Sequence, residues 1–254
     1  MTKLKLALTS LGLAVGLLST AHATVLDLGT DGDGFINGAY FAVSSAHSVG
    51  TGVYNPFLTV QASPWEQGYN SSTGNFDTTR EPQWNHEIQF SDLQVTTVNG
   101  MDYFGFSVDV NEPNGGPQAG ISLDGLRIFT SATLQNSTVV DGNGFFVGSL
   151  GTLRYDLGAN TVLYEDQHSG SGTGDISVLI PVSAFAGTQP SDYIYMYQRW
   201  GNTDGSAGGF EETSLIAGIT PVPEMSALFP IVGLMVAVGS THILRRRQMA
   251  KVSK

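Results

Sequence analysis

The chain has 254 residues with 22 acidic and 11 basic side chains, a net charge of −11, 32 glycines and no cysteine. The missing thiols exclude disulfides, thiol catalysis and zinc-thiolate centres. The acidity sets the chain against phosphate backbones, so no nucleic-acid partner is expected.

The first segment, MTKLKLALTSLGLAVGLLSTAHATV, places Lys3 and Lys5 ahead of an apolar run from Leu6 to Leu18, with small residues at Ala21 and Ala23. That order is a secretory signal helix over residues 1–23, cut after Ala23 by signal peptidase. Between residues 24 and 222 the charge is more extreme. Four arginines (Arg80, Arg127, Arg154, Arg199) and no lysine stand against 21 carboxylates, a net −17.

Residues 24–217 read as one extracellular β domain. YFGFSVDV sends Phe104, Phe106, Val108 and Val110 to one side and Tyr103, Gly105, Ser107 and Asp109 to the other, the alternation of a half-buried strand. DYIYMYQRW alternates Tyr193, Tyr195, Tyr197 and Arg199 with Ile194, Met196, Gln198 and Trp200. It has no clearly polar face, which predicts a central strand. Further strands are predicted at 40–43, 57–61, 86–90, 94–98, 121–130, 152–157, 161–164 and 175–182, separated by glycine-rich turns such as NEPNGGPQAG and GNTDGSAGG. Many short strands with such turns predict an all-β fold, a β-sandwich or jelly roll.

Residues 218–225 read as a linker with a Pro-Glu pair, Pro223 and Glu224. Residues 226–244 carry no carboxylate, lysine or arginine; 19 residues at about 1.5 Å each reach about 28 Å, enough for a single transmembrane helix. Arg245, Arg246 and Arg247 then place the basic tail 245–254 in the cytoplasm and the body outside the membrane.

Several groups are candidate sites. GTDGDGFING offers Asp31, Asp33 and Asn37 as calcium ligands, although Gly29 and Tyr40 occupy the first and twelfth places where an EF-hand needs oxygen donors. Asp175, Glu211 and Glu212 are further candidate ligands at one rim, and Asp109, Asn111 and Glu112 form an acidic strand end. Trp65, Tyr69, Trp84 and Trp200 are candidates for stacking on sugar rings, with core packing as the structural alternative. An inward and an outward tryptophan read alike here. No enzyme signature is complete. HEIQF has Phe90 in place of a second zinc histidine, and the histidines of the body, His47, His86 and His168, are widely separated.

Two resemblances extend this reading. VPEMSALFPIVGLMVAVGSTHILRRR resembles a PEP-CTERM sorting tail, through Pro223, Glu224, the apolar span and the arginines. It implies recognition by an exosortase in a Gram-negative bacterium, removal of the span, and delivery to the cell surface or an exopolysaccharide matrix. From Trp65 to Thr213, the words WEQGYNSS, VDVNEP, ISLDGLRIF, LRYDL, GSGTGDISVLIP, YIYMYQRWG and GFEE resemble an uncharacterised family of exported proteins that carry this same tail. The expectation is a non-catalytic, calcium-responsive matrix or adhesion protein, biofilm-associated and contacting exopolysaccharide. A carbohydrate-binding module or glycan-active enzyme on a jelly-roll scaffold is the alternative.

Overall fold

The computed structural model describes residues 23–47, 54–113, 118–166, 172 and 174–216. Ala21, most of the expected signal helix, the linker with Pro223 and Glu224, the expected span and the basic tail with Arg245, Arg246 and Arg247 lie outside them. Among the described residues no helix is long and apolar enough to cross a membrane.

The chain is all-β. In order, the elements are β1 (Val25–Asp27), the one-turn helix α1 (Leu28–Asp31), β2 (Asp33–Ile36), β3 (Ala39–His47), β4 (Pro56–Val60), β5 (Glu66–Tyr69), β6 (Ile88–Gln89), β7 (Val95–Val98) and β8 (Met101–Val110). They continue with β9 (Gly120–Ser131), β10 (Thr152–Asp156), β11 (Thr161–Glu165), β12 (Gly174–Pro181), β13 (Tyr193–Trp200) and β14 (Glu211–Leu215). One sheet runs β1-β11-β9-β13-β5, with β10 also on β9 and β6 on β13. The other runs β2-β3-β12-β8-β14-β4, with β7 also on β8.

The alternation in β8 sets its two faces. Phe104, Phe106, Val108 and Val110 enter an apolar cluster built from both sheets, while Tyr103 joins Leu179 and Ile216 in a separate small cluster. Opposite Phe106 and Val108 on β12 stand Val178 and Ile176, and the first sheet supplies Ile121, Leu126, Ile128, Ile194 and Met196 to the same cluster. Hydrogen bonds also cross between the sheets: Gln198 Nε2 donates to Thr213 Oγ1 at 2.8 Å, and Tyr155 OH to the Ile36 carbonyl at 3.0 Å.

β13 lies between β9 and β5, as its two non-polar faces predict. Its second face carries Tyr195 and Tyr197, which pack with Tyr69, Phe129, Phe146 and Leu150. The segment after β9 is strapped onto this face by polar bonds. Tyr195 OH accepts from the Gln135 amide at 2.8 Å, Tyr69 OH from the Ser137 amide at 2.9 Å, and Gln67 Oε1 from the Phe146 amide at 2.9 Å. Arg127 donates to the Phe146 carbonyl, with its guanidinium 4.7 Å from the Tyr197 ring centre.

Candidate functional site

The site lies where the strand ends of both sheets meet. β4 and β8 finish there at Val60 and Val110, and β14 begins at Glu211; in the other sheet β13 finishes at Trp200 and β5 begins at Glu66. The connection 201–210 runs from β13 to β14 across this end. It is pinned on one side by Ser122 N to Asp204 O at 3.2 Å and Ser206 N to Pro64 O at 3.0 Å. On the other side Asn111 Nδ2 donates to Phe210 O at 3.1 Å and Gln61 Nε2 to Gly208 O at 3.2 Å. Gly209 permits this approach: a Cβ there would sit 2.1 Å from the Asn111 carbonyl oxygen.

Carboxylates are withdrawn from water at this end. Glu66 and Glu211 are fully buried, and Asp109, Glu112, Asp124, Asp175 and Glu212 nearly so. They divide by the direction that register gives them. Glu211 stands directly opposite Val60 and Val110, both members of the shared cluster, so its side chain points to the apolar side. Among the described residues neither of its oxygens has a hydrogen-bond partner. Glu66 stands opposite Trp200, another cluster member. Its Oε2 accepts from the Ala62 amide at 2.6 Å, and its Oε1 is unpartnered. Burial pushes this carboxyl up to about 8; the Ala62 bond opposes the rise, and the negative charges of Glu112 and Asp77 add to it. Glu112 accepts from the Ala207 amide at 3.0 Å through Oε2, and its Oε1 is likewise unpartnered.

Asp109 and Glu212 form a second pair, directly opposite each other on β8 and β14. Burial raises Asp109 to about 7 against a bond from the Gly172 amide, with Asp175 and Glu212 adding to the rise. Asp175 accepts from the Val110 amide at 2.8 Å and from Tyr164 OH at 2.9 Å, which ties β12 to β11 in the other sheet.

Asp124 has a different role. The pairing of β9 with β13 shifts register between Arg199 and Trp200, opposite residues 123–125, and a bulge of this kind re-aims a side chain. Asp124 accepts from the Asn202 amide at 2.8 Å, the Thr203 amide at 3.1 Å and Thr161 Oγ1 at 3.1 Å, and also from the Ser122 and Thr203 hydroxyls. It anchors the start of the connection.

The predicted calcium candidates do not form one set. Asp31 and Asp33 are exposed, and Asp33 accepts from Tyr40 OH at 2.8 Å. Asn37 holds a turn at φ 50 and donates to the Asp156 and Leu157 carbonyls at 2.9 and 3.1 Å. Asp175, Glu211 and Glu212 do lie at the acidic end, but point different ways. Among the described residues no three acidic or imidazole side chains are already gathered as a metal centre.

The aromatic candidates divide too. Tyr69 and Trp200 are wholly inside, one in each of the two larger apolar clusters, so neither ring face is open to a sugar. This corrects the stacking role expected of them. Trp84 is 40% exposed. Trp65 is half-buried with its ring edge-on to Phe145 at 5.3 Å, and Phe145 carries the Arg199 guanidinium at 4.1 Å. On the outer face of the second sheet lie a groove of about 290 Å³ with mixed lining, Asp33, Thr96 and Ser177 beside Tyr40, Leu179 and Ile216, and a mainly apolar one of about 510 Å³ beside Phe35, Met101 and Tyr103. No residue of the acidic end lines either.

Glu66, between the stacking candidates Trp65 and Tyr69, and Asp124 were not among the residues expected from the sequence. The available signal for Asp124 was a lone charge inside an apolar strand, which is retained only when it is fully hydrogen-bonded. Comparison with family models, curated proteins and solved structures finds no match to the chain.

Proposed function

We infer that the chain is an exported β-sandwich of PEP-CTERM type, sorted to the cell surface or an exopolysaccharide matrix, where it has a non-catalytic structural or adhesive role. The observation that carries this reading is the apolar run 226–244 set between Pro223-Glu224 and three arginines, on a chain that opens with a signal-peptide pattern. The sandwich is supported by the apolar cluster common to both sheets and by the hydrogen bonds that cross between them. In this reading signal peptidase acts first. An inner-membrane intermediate with its C-terminus in the cytoplasm then passes to an exosortase-type enzyme. Intact-mass measurement of the surface form is expected to give a chain that begins at Thr24 and ends near Pro223. A surface form that retains Arg245 to Lys254 would return the tail to an ordinary membrane anchor.

The exposure of Trp84 and the half-open edge of Trp65 favour a second reading, a carbohydrate-binding module or glycan-active enzyme. It predicts saturable retention on a glycan array, abolished by Trp65→Ala combined with Trp84→Ala. These rings lie near the surface, so stability should change by only about 0.5 kcal/mol for Trp84→Ala. Absence of retention on every glycan retires this reading; turnover of a polysaccharide retires the non-catalytic one.

A further inference from the structure

We propose that Glu66, Glu112 and Glu211 together bind one calcium ion inside the acidic end, a site distinct from the exposed turn carrying Asp31 and Asp33. The proposal rests on four oxygens: among the described residues, Glu66 Oε1, Glu112 Oε1 and both oxygens of Glu211 are buried and without a hydrogen-bond partner. A buried carboxylate is costly unless it takes up a proton or something positive meets it. Among the described residues no arginine hydrogen-bonds to these oxygens, although Arg199 Nε is itself buried without a partner. Arg127 donates to the Phe146 and Gly148 carbonyls, Arg154 to Thr130 Oγ1 and the Ala186 carbonyl, and Arg199 to the Asp124 carbonyl. Arg80 is exposed, and the body has no lysine.

The backbone brings the three residues to one place. Glu66 is oriented by the Ala62 amide and Glu112 by the Ala207 amide, and Ser206 Oγ donates to the Ala62 carbonyl at 3.0 Å, so both carboxyls hang from one bridge. Glu211 faces Val60, two residues before Ala62, and Val110, two residues before Glu112. β5 is drawn against β4 here: a Cβ on Gly68 would lie 2.9 Å from Val60 Cγ1. Glu66 on β5 and Glu211 on β14 approach from different sheets and Glu112 follows the end of β8, so the three carboxylates reach a shared ion only by turning their side chains toward it.

The donor set selects the metal. It is all oxygen with three negative charges, which suits calcium with its six to eight oxygens at about 2.3–2.6 Å and flexible geometry. Magnesium demands strict octahedral geometry and keeps several waters, and zinc favours nitrogen and sulfur; neither fits a pocket of carboxylates between apolar strands.

The test uses the full chain in detergent, stripped with chelator, and follows thermal unfolding against CaCl₂, MgCl₂ and NaCl at matched ionic strength. Calcium is expected to raise the melting temperature saturably, with a dissociation constant tighter than about 10⁻³ M, while magnesium does so weakly. Glu211→Gln and Glu66→Gln should each weaken calcium about tenfold or more, and the double variant Asp31→Asn, Asp33→Asn should leave it unchanged. Terbium gives a second readout, independent of melting. Trp200 stands beside Glu66 in the sheet, so tryptophan-excited terbium emission should appear, be displaced by calcium, and vanish in Glu211→Gln. A melting curve indifferent to calcium up to about 20 mM, well above the usual range of extracellular modules, overturns the proposal. So does a calcium response that survives both glutamine substitutions. Because no step depends on the tail, a surface form that keeps residues 245–254 leaves the proposal standing.

Discussion

Asp124→Ala is expected to destabilise the body by about 4–6 kcal/mol, against the roughly 5–15 kcal/mol by which a domain is ordinarily stable. The carboxylate accepts two backbone amides, from Asn202 and Thr203, and three hydroxyls, from Ser122, Thr161 and Thr203. Hydrogen bonds to a charged group contribute about 1.5–3 kcal/mol each, but donors of one network do not add independently, so the sum falls short of five full bonds. Burial would push this carboxyl up; the Ser122 and Thr203 hydroxyls and the two amides outweigh it and hold it below its ordinary value. Truncation leaves those donors unpaired. The damage should also be local first. Native-state hydrogen exchange is expected to show lost protection at Asn202 and Thr203 while the amides of β8 and β12 keep theirs. Asp124→Asn, which keeps one acceptor oxygen, should cost about half as much. An alanine variant that melts within about 1 kcal/mol of the parent would mean that water replaces the carboxylate and that the anchor lies elsewhere.

The same bond network marks what could be read in advance. β8 and β13 were legible because the side chains facing the core stand out at every second position: the alternation in YFGFSVDV matches the division between the shared cluster and Tyr103, and the mainly apolar faces of DYIYMYQRW match a strand covered on both sides. β5 and β14 were not legible. EQGY and EETSL are short and polar, and they are strands because neighbours on β13 and β8 supply the pairing. His86 to Phe90 promised a full strand, but only Ile88 and Gln89 pair, since the chain then turns at Phe90–Asp92. For the site, the acids were visible as composition and their sorting was not. Glu211 and Glu212 are neighbours in sequence, yet the pleat sends one between apolar side chains and the other toward Asp109.

That sorting sets the second large effect, an inverted dependence of stability on pH in chelator. Most domains are stablest between about pH 5 and 8. Here Glu66 rises from an ordinary 4.5 to about 8 and Asp109 from 3.8 to about 7, burial being the first cause of each. A carboxyl with a raised folded-state value binds its proton more tightly when folded, so its contribution is whole below the unfolded value and is lost as pH rises through the folded one. Glu66 is opposed by Glu112 and Asp77, and Asp109 by Asp175 and Glu212, all acids, so no neighbouring cation reverses the sign. Together they should remove several kcal/mol of stability between about pH 4 and pH 8. Asp124 works the other way, with stability lost as pH falls below its ordinary value, which places the optimum near pH 4–5. Urea unfolding in chelator at successive pH values is expected to show the midpoint falling steadily above that optimum; a flat or rising midpoint would refute the assignment. Asp109→Asn and Glu66→Gln should each flatten part of the slope. Calcium at pH 8 should return the share that belongs to Glu66, because a bound cation does there what the proton does at lower pH, and should leave the share of Asp109 unrestored.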